Sequence, residues 1–253
     1  MRTLIFFTIL LTLIVTACTK KDLNTAVLSP DGKVQVHFSL NEKGEPMYDV
    51  YMKGKTIIQT SKLGFETTTF DFTKSFTIED AITRDFSEIW KPVWGQQQEV
   101  KNNYRELKVN LKNADGKLLN IVFRAFNNGV GFRYEFPESS EDVLVILDEV
   151  TEFKQTADHI TWWTPGCWDN DEYPYTESAI SEIDASYFLK EYPYSNVTSI
   201  PEIHGVNTPV TMKTKSGEYI SIHEAALVNF PGMSLSVNIE DFTFRSNLAE
   251  KEL

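Results

Sequence analysis

VQVHFSLNEKGEPMYDVYM (34–52) reads as a strand, a turn and a second strand. Val34, Val36, Phe38 and Leu40 alternate with Gln35, His37 and Ser39, the period of two that puts one row of side chains into a core and the other into water. Gly44 and Pro46 mark the turn into Tyr48–Met52. The same pattern continues on both sides. Pro30-Asp31-Gly32 precedes the first strand, Ala114-Asp115-Gly116 separates Val109–Lys112 from Leu118–Phe126, and Asn127-Asn128-Gly129 precedes Val130–Phe136. All three are hairpin turn signals. Further strands are expected at 56–59, 63–70, 75–84, 88–94, 143–147, 159–163, 209–214, 218–222, 234–238 and 241–246. So many short strands at turn-limited spacing predict an all-β fold, a large sandwich of two antiparallel sheets. Thr176–Leu189 is the one stretch with helical spacing: Ile180, Ile183 and Tyr187 fall on one face, as a short helical insertion that residues 190–208 complete.

The chain has 253 residues and begins MRTLIFFTILLTLIVTAC, an apolar run behind a single Arg2. That is a secretory signal, too short for a spanning helix. Val15-Thr16-Ala17-Cys18 fits a bacterial lipobox, so residues 1–18 are expected to be a lipoprotein signal with Cys18 as the lipidated residue. Residues 19–25 then form a tether, and 26–253 the folded domain, exported and held at a membrane face. With Cys18 lipidated, Cys167 has no disulfide partner, and cysteine-type zinc sites are excluded by count. Beyond residue 18 there are 23 basic and 36 acidic groups, a balance that argues against nucleic acid as a partner.

Chemistry concentrates in WWTPGCWDNDEYPYT (162–176), which holds three of the five tryptophans together with Asp169, Asp171 and Glu172. Pro165, Gly166 and Pro174 make it a loop. Two readings are open. Indole faces beside carboxylates suit a sugar or a hard cation, with Trp163, Trp168 and Tyr173 as the aromatic candidates. The alternative is a buried aromatic cluster beside a solvated acidic turn. WKPVWG (90–95) offers the same choice, and core packing at a strand crossing is the expectation there. His223-Glu224 is read as a strand end, and Arg124 and Arg133 with Glu135 as cross-strand ion pairs. Within the chain no nucleophile elbow, phosphate loop or HExxH appears.

In order, SPDGK (29–33), KGEP (43–46), WKPVWG (90–95), NYREL (103–107), FRAFNNGVGFRYEFP (123–137), DHITWWTPG (158–166), DEYPYT (171–176), TPVTMKT (208–214) and IHEAALVNFPGM (222–233) resemble the N-terminal domain of glycoside hydrolase family 97. The resemblance covers about residues 26–248. It implies a super-sandwich of the galactose-mutarotase type, which in this family of exported bacterial α-glucosidases and α-galactosidases precedes a catalytic (β/α)₈ barrel. No catalytic residue is then expected in this chain. The family's Ca²⁺ takes one glutamate from the N-terminal domain in a D-x-x-E-Y pattern, which here matches Asp169 to Tyr173 and assigns Glu172. One carboxylate falls far short of the six to eight oxygens Ca²⁺ wants, so weak or no binding by this chain is expected. Cys167-Trp168, where relatives have Asp-Tyr, departs from the pattern. The resemblance implies carbohydrate and the barrel domain as partners. Three functions stay open: an accessory sandwich of a truncated or split α-glycosidase, a self-contained glycosidase using the 169–172 cluster, and a lipid-anchored structural or partner-binding domain.

Overall fold

The structure is a computed structural model that describes residues 23–137, 144–167, 172–191, 200, 202–228 and 230–249. Residues 1–18, Cys18 among them, most of the tether, and Trp168 to Asp171 lie outside that set. The fold is an all-β sandwich. Strands β1 (Ala26–Leu28), β2 (Val34–Leu40), β3 (Pro46–Met52) and β4 (Lys55–Lys62) form an antiparallel meander. After the short β5 (Phe65–Thr67), a second meander follows: β6 (Phe76–Trp90), β7 (Val100–Asn113), β8 (Leu118–Phe126) and β9 (Gly129–Glu135). Next, β10 (Ile146–Glu149) returns to pair with β5, and β11 (Glu152–Gln155) joins β4. The chain continues through β12 (Ile160–Trp163), β13 (Thr176–Ala179), a 3-10 turn (Ile180–Glu182) and the helix α1 (Ser186–Glu191). It then runs through β14 (Gly205–Asn207), β15 (Val210–Lys213), β16 (Tyr219–Ile222), β17 (Met233–Asn238) and β18 (Thr243–Leu248).

Pairing among the described residues gives one eight-stranded sheet, β1-β2-β3-β4-β11-β18-β17-β14, two four-stranded sheets, β6-β7-β8-β9 and β13-β12-β15-β16, and the β10-β5 pair. The first two sheets pack face to face. Val34, Val36 and Phe38 are buried as the alternation requires, and Phe38 and Tyr48 meet Phe123 at ring separations of 6.1 and 6.2 Å. Leu107, Val109 and Leu111 of β7 and Leu119 and Ile121 of β8 complete this core. Tyr48 adds a polar tie, its hydroxyl donating to the Glu152 carbonyl at 2.8 Å.

Three expectations change. Residues 75–84 and 88–94 are not two strands: β6 runs unbroken from Phe76 to Trp90, paired with β7 throughout. Because β8 meets β7 only from Tyr104 onward, the far end of the β6–β7 hairpin stands free as a two-stranded arm. At its tip Val93 and Trp94 are 99% and 88% exposed, and Ile89 and Trp90 are exposed as well, so WKPVWG is not core packing. Thr176–Leu189 is not one helix: its first four residues extend the sheet beside β12, and only Ser186–Glu191 is α-helical. Ile180 and Ile183 are buried but Tyr187 is 57% exposed, so the apolar spacing does not describe one helical face.

On the outer face of the second meander the ion pairing also differs from expectation. Glu106, 4% exposed at its side chain, is held between its two cross-strand neighbours, Arg84 at 2.7 Å and Arg124 at 2.9 Å. Arg124 in turn lies 4.6 Å from the centre of the Tyr104 ring. Arg133 pairs with Glu135 along its own strand, and Lys108 reaches the same carboxylate at 2.9 Å. Burial pushes the Glu106 carboxyl up, but the hydrogen bonds from Arg124 and Arg84 outweigh it and leave the group below the usual carboxylate range. Removing a buried anion from between two cations leaves like charges adjacent. Glu106→Gln is therefore expected to lower the unfolding free energy by about 2 kcal/mol, and Arg84→Gln, at an exposed position, by less than about 1 kcal/mol, in urea titrations.

Candidate functional site

The acidic loop is built on the β12–β13 hairpin. Register sets Trp162 opposite Glu177 and Trp163 opposite Thr176, so the loop is closed by a paired base. Alternation along β12 then sends the two indoles to opposite faces. Trp163 is 1% exposed, donates from Nε1 to Ser178 Oγ at 3.0 Å, and packs edge-on against Phe188 of α1. Tyr173 is also buried and meets the same Phe188 at 5.5 Å. Trp163, Phe188 and Tyr173 thus form an aromatic plug beneath the loop, which is why a helical turn is kept at Ser186–Glu191. As core residues, Trp163 and Tyr173 present no open ring face to a sugar.

The first half of the loop is pinned to β14. Gly166 donates to the Gly205 carbonyl at 2.9 Å, and a Cβ at Gly166 would stand 3.0 Å from the backbone of Gly205 and Val206. The buried Cys167 donates its N–H to Asn207 Oδ1 at 2.9 Å, and Asn207 N–H reaches the Thr164 carbonyl. Glu172 is exposed. It directly precedes the buried Tyr173. Among the described residues no group of three or more His, Cys, Asp or Glu side chains is placed to hold a metal ion. Asp169, Asp171 and Trp168 lie outside the described residues.

The open aromatic surface belongs to other residues. Trp162 stacks on Tyr219 of β16 at 6.1 Å and 22°, and its Nε1 donates to Glu177 Oε2 at 2.7 Å. Lys213 Nζ lies 5.4 Å from the centre of the same Tyr219 ring. Stacked rings beside a carboxylate and an ammonium can take the apolar face and the hydroxyls of a pyranose. Once Trp163 is placed inside, alternation alone puts Trp162 outside; Tyr219 becomes its neighbour only through the β12-β15-β16 order, which no local pattern reveals.

Tyr219 also borders a cavity of about 620 Å³ that opens between β9, β16 and the eight-stranded sheet, with Phe65, Phe132, Phe136, Phe153 and Phe230 in its walls. One acid lines it. Glu149 is 7% exposed and accepts from Thr151 Oγ1 at 2.6 Å; Thr151 in turn contacts the Tyr134 hydroxyl, which accepts from Gly64 N–H at 3.1 Å. Burial, joined by the charge of Glu224, pushes the Glu149 carboxyl up to about 7. Glu224 also lines the cavity; it lies beyond the end of β16, half-buried next to the exposed His223.

A sandwich of this order occurs in glycoside hydrolases. The chain superposes on a family 97 enzyme from Pseudoalteromonas sp. strain K8, solved in complex with acarbose, with a TM-score of 0.74 and 31% identity over 88% of this chain and 31% of that one. A β-arabinopyranosidase at 22% identity and a TM-score of 0.75 shares the fold. The glycosyl-hydrolase 97 N-terminal family model matches residues 27–251, and the chain belongs to that family. It is 24% identical over 184 residues to a probable retaining α-galactosidase of Streptomyces bingchenggensis (strain BCW-1). To the retaining α-galactosidase of Bacteroides thetaiotaomicron it is 21% identical over 214 residues. It spans 27% and 30% of the lengths of these two relatives.

The two neighbouring tryptophans separate stability from surface. Trp163→Ala is expected to cost roughly 3–5 kcal/mol in unfolding free energy, as for other large core deletions, and Trp162→Ala less than about 1 kcal/mol. Paired denaturant titrations of the two variants check this.

Proposed function

We propose that this chain is the accessory, carbohydrate-facing sandwich of an exported α-glycosidase and does not hydrolyse glycosides on its own. The observation that carries the reading is the acidic loop: Glu172 is exposed on a segment whose two flanks are anchored, by β14 on one side and by the Tyr173–Phe188 contact on the other. Among its described residues the loop presents one carboxylate, which is one ligand and not a whole site. In this reading Glu172 supplies one oxygen to a Ca²⁺ whose other ligands, with the catalytic carboxylates, come from a barrel domain. The substrate class is an α-galactoside or α-glucan, consistent with the retaining α-galactosidases among the relatives and with the acarbose complex. Trp162 and Tyr219 are the sugar-facing aromatics of the sandwich itself. What this chain's residues do is position and present: the Trp163–Phe188–Tyr173 plug holds the loop, and the loop holds the carboxylate.

Calorimetric titration of the purified chain with Ca²⁺ is expected to show binding no tighter than roughly millimolar, as for an incomplete oxygen set. Incubation with aryl α-glucosides and α-galactosides is expected to show no turnover. Tight calcium binding lost in Glu172→Gln, or hydrolysis lost in Glu172→Gln or Glu149→Gln, would instead reveal a self-contained site.

Export and anchoring belong to the same proposal, with Cys18 diacylated and the domain held at the membrane by its lipid chains. Metabolic labelling with an alkyne fatty acid in a bacterial host should mark the chain. Cys18→Ser should abolish the label and release the protein from the membrane fraction.

A further inference from the structure

The cavity beside β9 is bounded in an unusual way. Residues 128–134 line it without interruption, and so do residues 219–228. A cavity lying against the face of a sheet is lined by alternate residues of each strand, because successive side chains point to opposite faces. β9 and β16 are the border strands of their sheets on this side, so their edges face it. Both edges are open: among the described residues β9 bonds only to β8, and β16 only to β15. The second layer of the sandwich is therefore two four-stranded sheets whose free edges look at each other across one groove, with residues such as Val50, Ile58 and Phe153 of the eight-stranded sheet also in its lining. Leu227 and Val228 stand exposed where the residues after β16 border it.

Each free edge carries a row of unpaired N–H and C=O groups that another strand satisfies. Two facing edges demand more. A second copy of the folded chain would bring a sheet, whose border strand has only one free edge; a strand seated here needs both edges free, so an isolated extended segment fits. The phenyl rings of the walls take apolar side chains at alternate positions of the incoming segment. Charge adds a further requirement. Glu149 is buried in this groove with Glu224 nearby, and among the described residues no cation pairs with Glu149. Arg133 also lines the groove but is engaged by Glu135.

We propose that the groove is the seat of one additional β-strand, apolar at alternate positions and carrying a basic side chain that meets Glu149, which fuses the two four-stranded sheets into one. Its source is the part of the family's enzymes outside the sandwich: the relatives are more than three times as long as the stretch they share with this chain, and Leu248, the last residue of β18, already lines the groove. The inference concerns how the domain is completed; it shares Tyr219 with the proposed sugar surface, and its test reads neither calcium nor sugar.

Synthetic peptides tiling the part of the Pseudoalteromonas sp. strain K8 enzyme that this chain does not match supply the probe. Binding to the whole chain is read by fluorescence anisotropy and amide hydrogen exchange. One peptide is expected to bind and to protect amides of both 129–135 and 219–222. Glu149→Gln is expected to weaken that peptide about tenfold or more, the effect of losing a charge-assisted hydrogen bond, and to leave the affinity of its Arg→Gln or Lys→Gln analogue unchanged. The substitution is isosteric and keeps an oxygen acceptor for Thr151 Oγ1, so the variant is expected to fold, which its amide exchange without peptide checks. Absence of binding by every peptide, protection of one edge only, or an affinity indifferent to Glu149→Gln overturns the proposal. So does concentration-dependent self-association that protects both edges without peptide. Calcium and hydrolysis measurements do not enter, so the two readings fail separately.

Discussion

The contact on which the rest of this domain depends is the wedge of rings between its two meanders. Phe38 and Tyr48 come from one sheet and Phe123 and Phe132 from the other, and their separations of 5.5 to 6.2 Å with tilted planes are favourable aromatic geometry. The contacting pairs across the two sheets are 75 to 85 positions apart in sequence, so the wedge is what converts two local hairpin series into one sandwich. Tyr48 extends it through its hydroxyl to the backbone of β11, which links the N-terminal meander to β18 and hence to the C-terminal part of the chain. Everything downstream, including the acidic loop, is hung from that frame. The loop is reached through β14, the border strand of the eight-stranded sheet, by the Gly166–Gly205 and Cys167–Asn207 bonds.

Much of this order is local and therefore readable. The alternation in 34–40, the Pro30-Asp31-Gly32, Ala114-Asp115-Gly116 and Asn127-Asn128-Gly129 turns, and the number of short apolar runs all become the elements they suggest. What failed did so where the outcome depends on a partner distant in sequence. Thr176–Ala179 is extended because β12 offers it an edge, and that edge outweighs an apolar spacing compatible with a helix. Trp90 and Trp94 are hydrophobic enough to suggest a core, yet they lie on a hairpin that outruns its neighbour β8. The length mismatch of two strands is not written in either one.

The candidate site shows the same division. The acidic loop and its aromatic flank were legible as a composition, whereas Glu172 was assigned through the family resemblance alone, and the structure adds only that it is exposed. Which indole faces inward was not legible until β12 had a register, and the Trp162–Tyr219 pair needs three strands in a particular order. Glu149 gave no signal of its own. It sits in an ordinary run of acidic and apolar residues, and its significance comes from phenyl rings and a second carboxylate gathered from five separate parts of the chain.

The free end of the β6–β7 hairpin has a mechanical meaning. A two-stranded ribbon lacks the third strand that flattens and stiffens a sheet, so it twists strongly and bends at low cost. Tyr104 stacks on Phe86 and abuts Phe126, which fixes the root of the arm, while beyond it only ladder bonds and polar cross-strand pairs such as Asn102–Glu88 hold the two strands together. The arm thus has a stiff base and a tip weighted with indoles, and bending along it moves Trp90 and Trp94 without disturbing the sandwich core.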